Sequence, residues 1–371
     1  MKQLFDATQI GPMKLKNRLW RSATWLGMAD DKGHVTERLQ QAYLDLAKGG
    51  VGTIITGYAF VLEEEQPNPG MLGIYDDSFI PEYADFVRKL KAEGANVVMQ
   101  IVYGGSTTNF QVEGRTIWGP SAVPHPAFGT VPTEMTKENI DTVVQAFAQA
   151  ARRVKAAGFD GVQIHGAHSY LFSQFLSPYY NRREDEYGGS IENRARIIFE
   201  ALAAIRTEVG DEYPVFIKMH CSDEWDEHGL TVEESGFVAK ELEKRSITGI
   251  EFSGGNFDLK NYPGKMAIRK GIIKEEKQSY FAEKTAKIAE ELTVPVISVG
   301  GHRTPKVLEG ILNSSSIEYV SLSRTLHSEP DMVNRWASGD HGKPRCVACS
   351  KCWAPGGNVC VLDRKEKKEA S

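Results

Sequence analysis

The chain has 371 residues, a length that one large α/β domain or two smaller domains could account for. Its formal net charge is −5, with acidic and basic residues interspersed, which excludes the basic face of a nucleic-acid binder and favours a small-molecule partner. The sequence shows no leader-like apolar segment, no membrane-spanning run and, with four of its five cysteines crowded after position 345, no secretory disulfide pattern, so we expect a cytoplasmic protein.

Short apolar segments alternate with long amphipathic segments along almost the whole chain, which is typical of parallel βα units. Several of the amphipathic segments end in glycine just before the next apolar one, as helix C-caps do. The alternation predicts a (β/α)8 barrel. The predicted strands are 18–24, 51–56, 96–101, 161–165, 214–218, 249–252, 295–299 and 319–322. The predicted helices are 37–48, 79–93, 137–157, 192–209, 231–244, 279–291, 304–313 and 332–337.

A doubly wound open sheet is the competing architecture, but it would usually carry a glycine-rich turn between its first strand and helix. No GxGxxG motif stands there. Long loops follow the predicted strands, at 57–78, 102–136, 166–191 and 253–278, whereas the loops that precede the strands are short. In barrels the long loops after the strands carry the active site, which predicts a site at the C-terminal mouth.

Polar residues and glycines stand at or just after the predicted strand ends, where a barrel brings them to one mouth. Glycines after the seventh strand and an arginine after the eighth occupy positions where barrels commonly bind phosphate, although glycine pairs also simply make turns. The set comprises Thr24, Trp25, Gly57, Tyr58, Gln100, His165, His168, Tyr170, Lys218, Ser253, Gly254, Gly255, Gly300, Gly301, Ser323 and Arg324.

The stretch HGAHSY, residues 165–170, places two imidazoles and a phenol where a buried strand ends. The two histidines could bind a metal, but no acidic residue or cysteine is placed with them as a third ligand. They could also be structural. We favour a third interpretation, in which His165 and His168 donate hydrogen bonds to one substrate oxygen while Tyr170 exchanges a proton nearby.

Residues 165–200, HGAHSYLFSQFLSPYYNRREDEYGGSIENRARIIFE, closely resemble the Old Yellow Enzyme family of FMN-dependent ene-reductases. LKNRL at 15–19 and GPSAV at 119–123 add to the resemblance, which covers about residues 4–336. It implies a (β/α)8 barrel that holds FMN non-covalently at its mouth. It also implies an enzyme that takes hydride from NADH or NADPH and reduces the C=C bond of α,β-unsaturated carbonyl compounds.

The resemblance implies roles for individual residues. His165 and His168 match the pair that binds the substrate carbonyl oxygen, and Tyr170 matches the proton donor. Residues expected to contact the cofactor are Gln100 and Lys218 at the flavin pyrimidine edge, Gly300, Gly301, Ser323 and Arg324 at the phosphate, and Thr24, Trp25, Gly57 and Tyr58 elsewhere in the site. Trp25 departs from the family pattern, which often has Thr or Cys there, because an indole cannot accept a hydrogen bond from the flavin.

Because no Rossmann module is present, we expect the nicotinamide to visit the same mouth as the alkene, giving ping-pong kinetics. We expect residues 1–338 to form the FMN-binding barrel and residues 339–371 a tail with a charged end; the chain could also form a homo-oligomer. The tail carries Cys346, Cys349, Cys352 and Cys360, which could bind an iron–sulfur cluster or zinc or remain free thiols, and we assign no metal. Two alternative functions are the barrel subunit of an iron–sulfur dienoyl or enoate reductase, and a flavin-binding protein of low turnover.

Overall fold

A computed structural model describes residues 1–225, 228–255 and 267–369. Its centre is a closed barrel of eight parallel strands, in which each strand pairs with its neighbour in sequence and the last pairs with the first. The predicted (β/α)8 barrel is therefore confirmed. The strands are β1 (Leu19–Arg21), β2 (Thr53–Ile55), β3 (Asn96–Val102), β4 (Gly161–Gly166), β5 (Val215–His220), β6 (Gly249–Ser253), β7 (Val296–Val299) and β8 (Tyr319–Leu322).

Helices connect the strands, and each buries an apolar stripe against the barrel. They are α1 (Glu37–Lys48), α2 (Phe79–Ala92), α3 (Lys137–Ala156), α4 (Arg196–Val209), α5 (Val232–Glu243), α6 (Ala282–Ala289), α7 (Pro305–Ser314) and α8 (Met332–Ala337). Capping boxes at Thr136 and Thr231 begin α3 and α5. Gly210, with a φ of 77°, ends α4 as predicted.

Some elements differ from the prediction. The predicted strand 18–24 is shorter, because the chain leaves the barrel after Arg21 to line the mouth. The predicted helix 192–209 is divided into Ile191–Arg194 and α4. The sequence did not predict the short strands Thr8–Ile10, Met13–Leu15, Ala59–Phe60, Leu72–Gly73, Trp118–Gly119 and Thr133–Glu134, the helices Leu171–Leu176, Arg324–Ser328 and Val361–Glu369, or the 3-10 turns Gly105–Thr107 and Glu275–Lys277.

The N-terminal end of the barrel is closed by an antiparallel hairpin. Thr8–Ile10 pairs with Met13–Leu15, and the apolar side chains of this hairpin join a buried cluster with Trp20 and Phe216. The rings of Trp20 and Phe216 meet edge to face at 5.4 Å. This packing fills the bottom of the barrel and leaves the C-terminal mouth as the open end.

The residues after α8 pack back onto the mouth. Asn358 donates from Nδ2 to the Trp25 carbonyl oxygen at 2.9 Å, and Arg324 donates to Ser350 Oγ at 3.0 Å. Arg303 donates to the Cys346 carbonyl oxygen at 2.5 Å. The tail therefore completes the mouth instead of extending away from it. Among the helices of the described residues, none is long and apolar enough to cross a membrane.

Candidate active site

A cavity of about 440 Å³ opens at the C-terminal mouth of the barrel. It gathers residues from all eight barrel strands or the loops that follow them, and from the tail. The predicted site residues that line it are Thr24, Trp25, Tyr58, His168, Tyr170, Lys218, Gly300, Gly301, Ser323 and Arg324. Gly57, Gln100 and His165 do not line this cavity as the described residues define it.

The loop after β4 holds His168 in an unusual backbone conformation. His168 and Ser169 both have left-handed φ values, 57° and 60°, which are unfavourable for residues other than glycine. The His168 backbone N–H donates to His220 Nε2 at 2.7 Å, and His220 Nδ1 in turn bonds Asp223 Oδ1 at 2.6 Å. His220 and Asp223 thus fix the turn that presents His168 to the cavity.

His165 at the end of β4 and His168 in the following loop are both neutral hydrogen-bonding groups. His165 Nδ1 accepts from the Ala167 backbone N–H at 3.3 Å, so the proton lies on Nε2. His168 Nε2 lies 2.8 Å from Ser253 Oγ, and the two imidazole centroids are 5.4 Å apart. Burial, with the nearby positive charge of Lys218, holds the pKa of both imidazoles well below the ordinary value.

Tyr170 lies against these histidines and is suited to give a proton. It is only 1% exposed, and its ring centroid is 4.7 Å from that of His165. Its hydroxyl oxygen accepts from Asn68 Nδ2 at 3.2 Å. Burial raises the pKa of Tyr170 above its usual value, so the phenol keeps its proton at neutral pH.

A buried polar chain crosses the barrel beneath the cavity. Lys218 Nζ donates to Ser22 Oγ at 2.7 Å and lies 3.6 Å from Glu251 Oε2. Gln163 donates to Glu251 Oε2 at 2.9 Å and accepts from Gln100 Nε2 at 2.7 Å. Burial lowers the pKa of Lys218. The chain links Lys218 to Gln100, the two residues expected at the flavin pyrimidine edge.

Buried polar atoms in this region fit a polar heterocycle. Gln100 Oε1, Ser321 Oγ and Thr325 Oγ1 are buried and have no hydrogen-bond partner among the described residues. Ser321 and Thr325 line the cavity directly. Buried polar atoms normally have partners, so these atoms indicate that a bound molecule supplies them. With Lys218 as the cation, they fit the FMN implied by the sequence.

Another part of the cavity wall is formed by two glycines that pack tightly against aromatic rings. Gly300 and Gly301 have positive φ values of 134° and 79°. A Cβ at Gly300 would come within 2.4 Å of the Phe281 ring, and one at Gly301 within 2.4 Å of the Tyr280 ring. Only glycine fits both positions. Arg303 and Arg324 also line this wall, so it is a positively charged end suited to a phosphate.

An aromatic rim surrounds the outer part of the cavity. Trp25 meets Trp353 of the tail at a centroid distance of 6.1 Å with an interplanar angle of 72°. The Trp25 indole N–H donates to the Pro69 carbonyl oxygen at 3.1 Å, so it is committed to the protein backbone. Trp353 is 61% exposed, and Phe128, also exposed, lines the same cavity. The rim therefore offers apolar surface to the outer part of a ligand.

Sequence reasoning missed five contributors to the site. The sequence did contain an indication of Glu251, because a charged residue inside the apolar strand β6 requires a buried partner. It contained no such indication for Asn68, His220 or Asp223, because their roles depend on contacts between separate segments of the chain. Trp353 likewise reaches the cavity only through the course of the tail.

Within the described residues, no disulfide joins the four tail cysteines. Cys346 and Cys360 are buried, whereas Cys349 and Cys352 are partly exposed. Burial, together with the neighbouring thiols Cys346, Cys360 and Cys349, raises the pKa of Cys352 to about 11. Over the described ranges, no three His, Cys, Asp or Glu side chains are arranged to hold a metal ion.

Comparisons with known proteins give one consistent result. Residues 3–342 match the model of the NADH:flavin oxidoreductase / NADH oxidase family. The chain is 35% identical over 328 residues to an NADPH dehydrogenase of Geobacillus sp. (strain WCH70), covering 88% of this chain and 91% of that protein. It is 32% identical over 352 residues to a metal reductase of Desulforamulus reducens, covering 95% of this chain but 51% of that protein. The chain thus spans about half the length of the first curated relatives it matches.

Solved structures show the same fold. A 2-naphthoyl-CoA reductase in complex with 2-naphthoyl-CoA superposes with a TM-score of 0.86 at 28% identity, over 94% of this chain and 54% of that one. Morphinone reductase superposes with a TM-score of 0.75 at 25% identity, over 93% of this chain and 91% of that one.

Proposed function

Because the chain belongs to the NADH:flavin oxidoreductase / NADH oxidase family, a family of FMN- and NAD(P)H-dependent enzymes, we propose that it reduces the C=C bond of α,β-unsaturated carbonyl compounds. The observation that carries the proposal is the grouping of His168, Tyr170 and Lys218 at one cavity, with the His165 ring centroid 5.4 Å from that of His168 and 4.7 Å from that of Tyr170. Two neutral imidazoles and a protonated phenol are the groups that conjugate reduction requires.

The FMN would lie between Lys218 with Gln100 at one end and Gly300 with Gly301 at the other. When reduced, it supplies a hydride to the β-carbon of the alkene. His165 Nε2–H and His168 hydrogen-bond the carbonyl oxygen, on which negative charge develops, and preorganised donors of this kind stabilise the transition state by several kcal/mol. Tyr170 then gives its proton to the α-carbon, which is far more basic than a phenolate.

The same mouth serves both halves of the reaction. NAD(P)H and the alkene would occupy the same cavity in turn, because the described residues place one such cavity beside the groups that would hold FMN. The aromatic rim of Trp25, Phe128 and Trp353 would contact the part of each molecule that lies outside the catalytic centre. Ping-pong kinetics follow from this arrangement.

We expect the purified protein to bind one FMN per chain and to oxidise NADH or NADPH in the presence of an enone. The measurement is flavin content after denaturation, followed by turnover of a panel of enones, enals and nitroalkenes with each nicotinamide. A protein that neither retains FMN nor binds it when supplied would refute the proposal. One that binds FMN and is reduced, but turns over none of the panel, would be a low-turnover flavin protein.

A second candidate is the barrel part of an iron–sulfur flavoprotein, such as a dienoyl or enoate reductase. Two observations favour it: relatives of about twice the length, and the proximity of Cys352 to the other three tail thiols. CxxCxxC with a fourth cysteine provides the ligands that such clusters use. We expect anaerobically purified protein to contain less than one equivalent of iron, measured by metal analysis. Four irons per chain and a brown colour that is lost in Cys349→Ser would establish this second candidate instead.

A further inference from the structure

Tyr58 forms a pair of phenols with Tyr170. Their ring centroids are 5.3 Å apart, and Asn68 Nδ2 lies 3.2 Å from the Tyr170 hydroxyl and 3.4 Å from that of Tyr58. The two hydroxyl groups are hydrogen-bonded to each other, and a phenol can either donate or accept in such a pair. When Tyr170 gives up its proton, its oxygen accepts from both Tyr58 and Asn68, which stabilises the phenolate.

The backbone before Tyr58 fixes its direction. The Gly57 N–H donates to the Tyr43 hydroxyl at 2.6 Å, and a Cβ at Gly57 would lie 3.0 Å from the Thr24 carbonyl oxygen. The backbone at Gly57 is thus closely packed. Gly57 does not line the cavity, whereas the side chain of Tyr58, the next residue, does. The fixed backbone at Gly57 holds the Tyr58 side chain beside Tyr170.

The two phenols differ in access to solvent. Tyr170 is 1% exposed and packs with Phe60, Met71 and Val102, whereas Tyr58 is partly exposed and lines the cavity. Other neighbours are poor proton sources: the pKa of His165 is held low, so its imidazole carries no extra proton at neutral pH, and the Asn68 amide does not ionise.

Glu65 is the competing acid in this region. Burial raises its pKa to about 8, so it holds a proton near neutral pH. Its Oε1, however, accepts from the Gly104 N–H and from Thr108 Oγ1, both at 2.9 Å. Within the described residues, neither oxygen of Glu65 bonds either phenol, so its carboxyl lies outside the hydrogen-bonded pair.

We infer that Tyr58 is the proton carrier that recharges Tyr170 after each alkene reduction, an inference that rests on the proposed function. When Tyr170 protonates the α-carbon, its O–H bond breaks, a C–H bond forms and a Tyr170 phenolate remains. The Tyr58 proton then crosses the hydrogen bond to Tyr170, and the Tyr58 phenolate takes a proton from water. Each turnover consumes one solvent proton, and both electrons arrive with the hydride.

The test is Tyr58→Phe, which removes the carrier and leaves Tyr170. Mixing the reduced variant with a cyclic enone should give a first turnover close to the wild-type rate, because Tyr170 begins protonated. With excess NAD(P)H and enone, the variant should show a burst of one product per FMN followed by turnover at least about tenfold slower. Added imidazole buffer should raise the slow rate in proportion to its acid concentration, since a small acid replaces a lost proton carrier but not a lost structural contact.

Two matched variants serve as controls. Tyr75→Phe removes a neighbouring phenol that bonds the Lys32 carbonyl oxygen, and Glu65→Gln removes the competing acid; both should turn over without a burst. A readout independent of turnover is the 13Cζ chemical shift of Tyr170 in protein freed of flavin. It should move in Tyr58→Phe, which loses a hydrogen bond to that oxygen, and stay in place in Tyr75→Phe.

The possible results distinguish a failure of the Tyr58 proton-carrier role from a failure of the proposed enone reduction. If wild-type protein reduces enones and Tyr58→Phe turns over at the same rate with no burst, the carrier role is wrong and the function stands. A burst in Glu65→Gln in place of Tyr58→Phe would assign the role to the carboxyl. A wild-type protein that reduces no enone refutes the proposed function and the carrier with it.

Discussion

The Tyr170→Phe variant should bind FMN and accept hydride from NAD(P)H at nearly the wild-type rate, yet reduce a cyclic enone about a hundredfold more slowly or worse. The substitution deletes one hydroxyl and nearly conserves volume, and the ring keeps its packing against Phe60, Met71 and Val102. Asn68 retains a partner in the Tyr58 hydroxyl. The loss is therefore one of proton delivery and not of folding.

Dioxygen provides the internal control for this variant. Reoxidation of the flavin by oxygen needs no proton on carbon, so it should persist in Tyr170→Phe. A stopped-flow instrument that mixes the reduced variant with enone and separately with oxygen measures both rates. Equal enone rates in the variant and the wild type, with hydride transfer limiting, would mean that Tyr170 is structural and that another donor protonates the substrate.

Lys218→Met should have the largest effect on stability. The substitution leaves the carboxylate of Glu251, which is fully buried, without its counter-charge 3.6 Å away. Removing one partner of a buried ion pair typically costs about 3–5 kcal/mol. We expect a loss of this size in the free energy of unfolding of the flavin-free protein, measured by denaturant titration. We also expect slower flavin reduction, because the positive charge that stabilises reduced anionic flavin is gone.

The double variant Lys218→Met/Glu251→Gln separates the two effects. Glutamine keeps an acceptor for Gln163 and carries no charge, so most of the lost stability should return. Flavin reduction should remain slow, because the cation is still absent. Lys91→Met is the matched control, since its partner Asp160 lies at a partly exposed site where an ion pair contributes at most about 1 kcal/mol. Reduction restored in the double variant would show that Lys218 acts only through folding.

The barrel and its family were predictable from the sequence because both depend on local pattern. Each strand carries its own apolar run and each helix its own periodicity, and the barrel and the Old Yellow Enzyme resemblance are confirmed. The mouth residues were predictable for a related reason, since parallel strands bring their carboxyl ends to one edge. The roles of His165, His168 and Tyr170 stay predictions, as does the domain boundary at residue 338.

Features that depend on distant contacts were not predictable. The hairpin of residues 8–15 has strands of three residues, too short to show a period. The place of Trp353 in the cavity depends on contacts such as that between Asn358 and Trp25. The relation of Tyr58 to Tyr170 depends on a shared amide, Asn68, from a loop with no recognisable motif.

The pairing of β8 with β1, which closes the barrel, also determines at what point of synthesis the site can form. Residues 320–322 pair with residues 19–21, and Asn358 hydrogen-bonds Trp25, 333 residues earlier in the chain. A nascent chain therefore carries β1 with one open edge until the ribosome has released residues beyond 319, and the mouth is unfinished until residue 358 emerges. Contacts of such sequence separation form late and slowly. The proposed binding of FMN therefore has to follow the synthesis of residue 358, and until β8 emerges one edge of β1 remains unpaired.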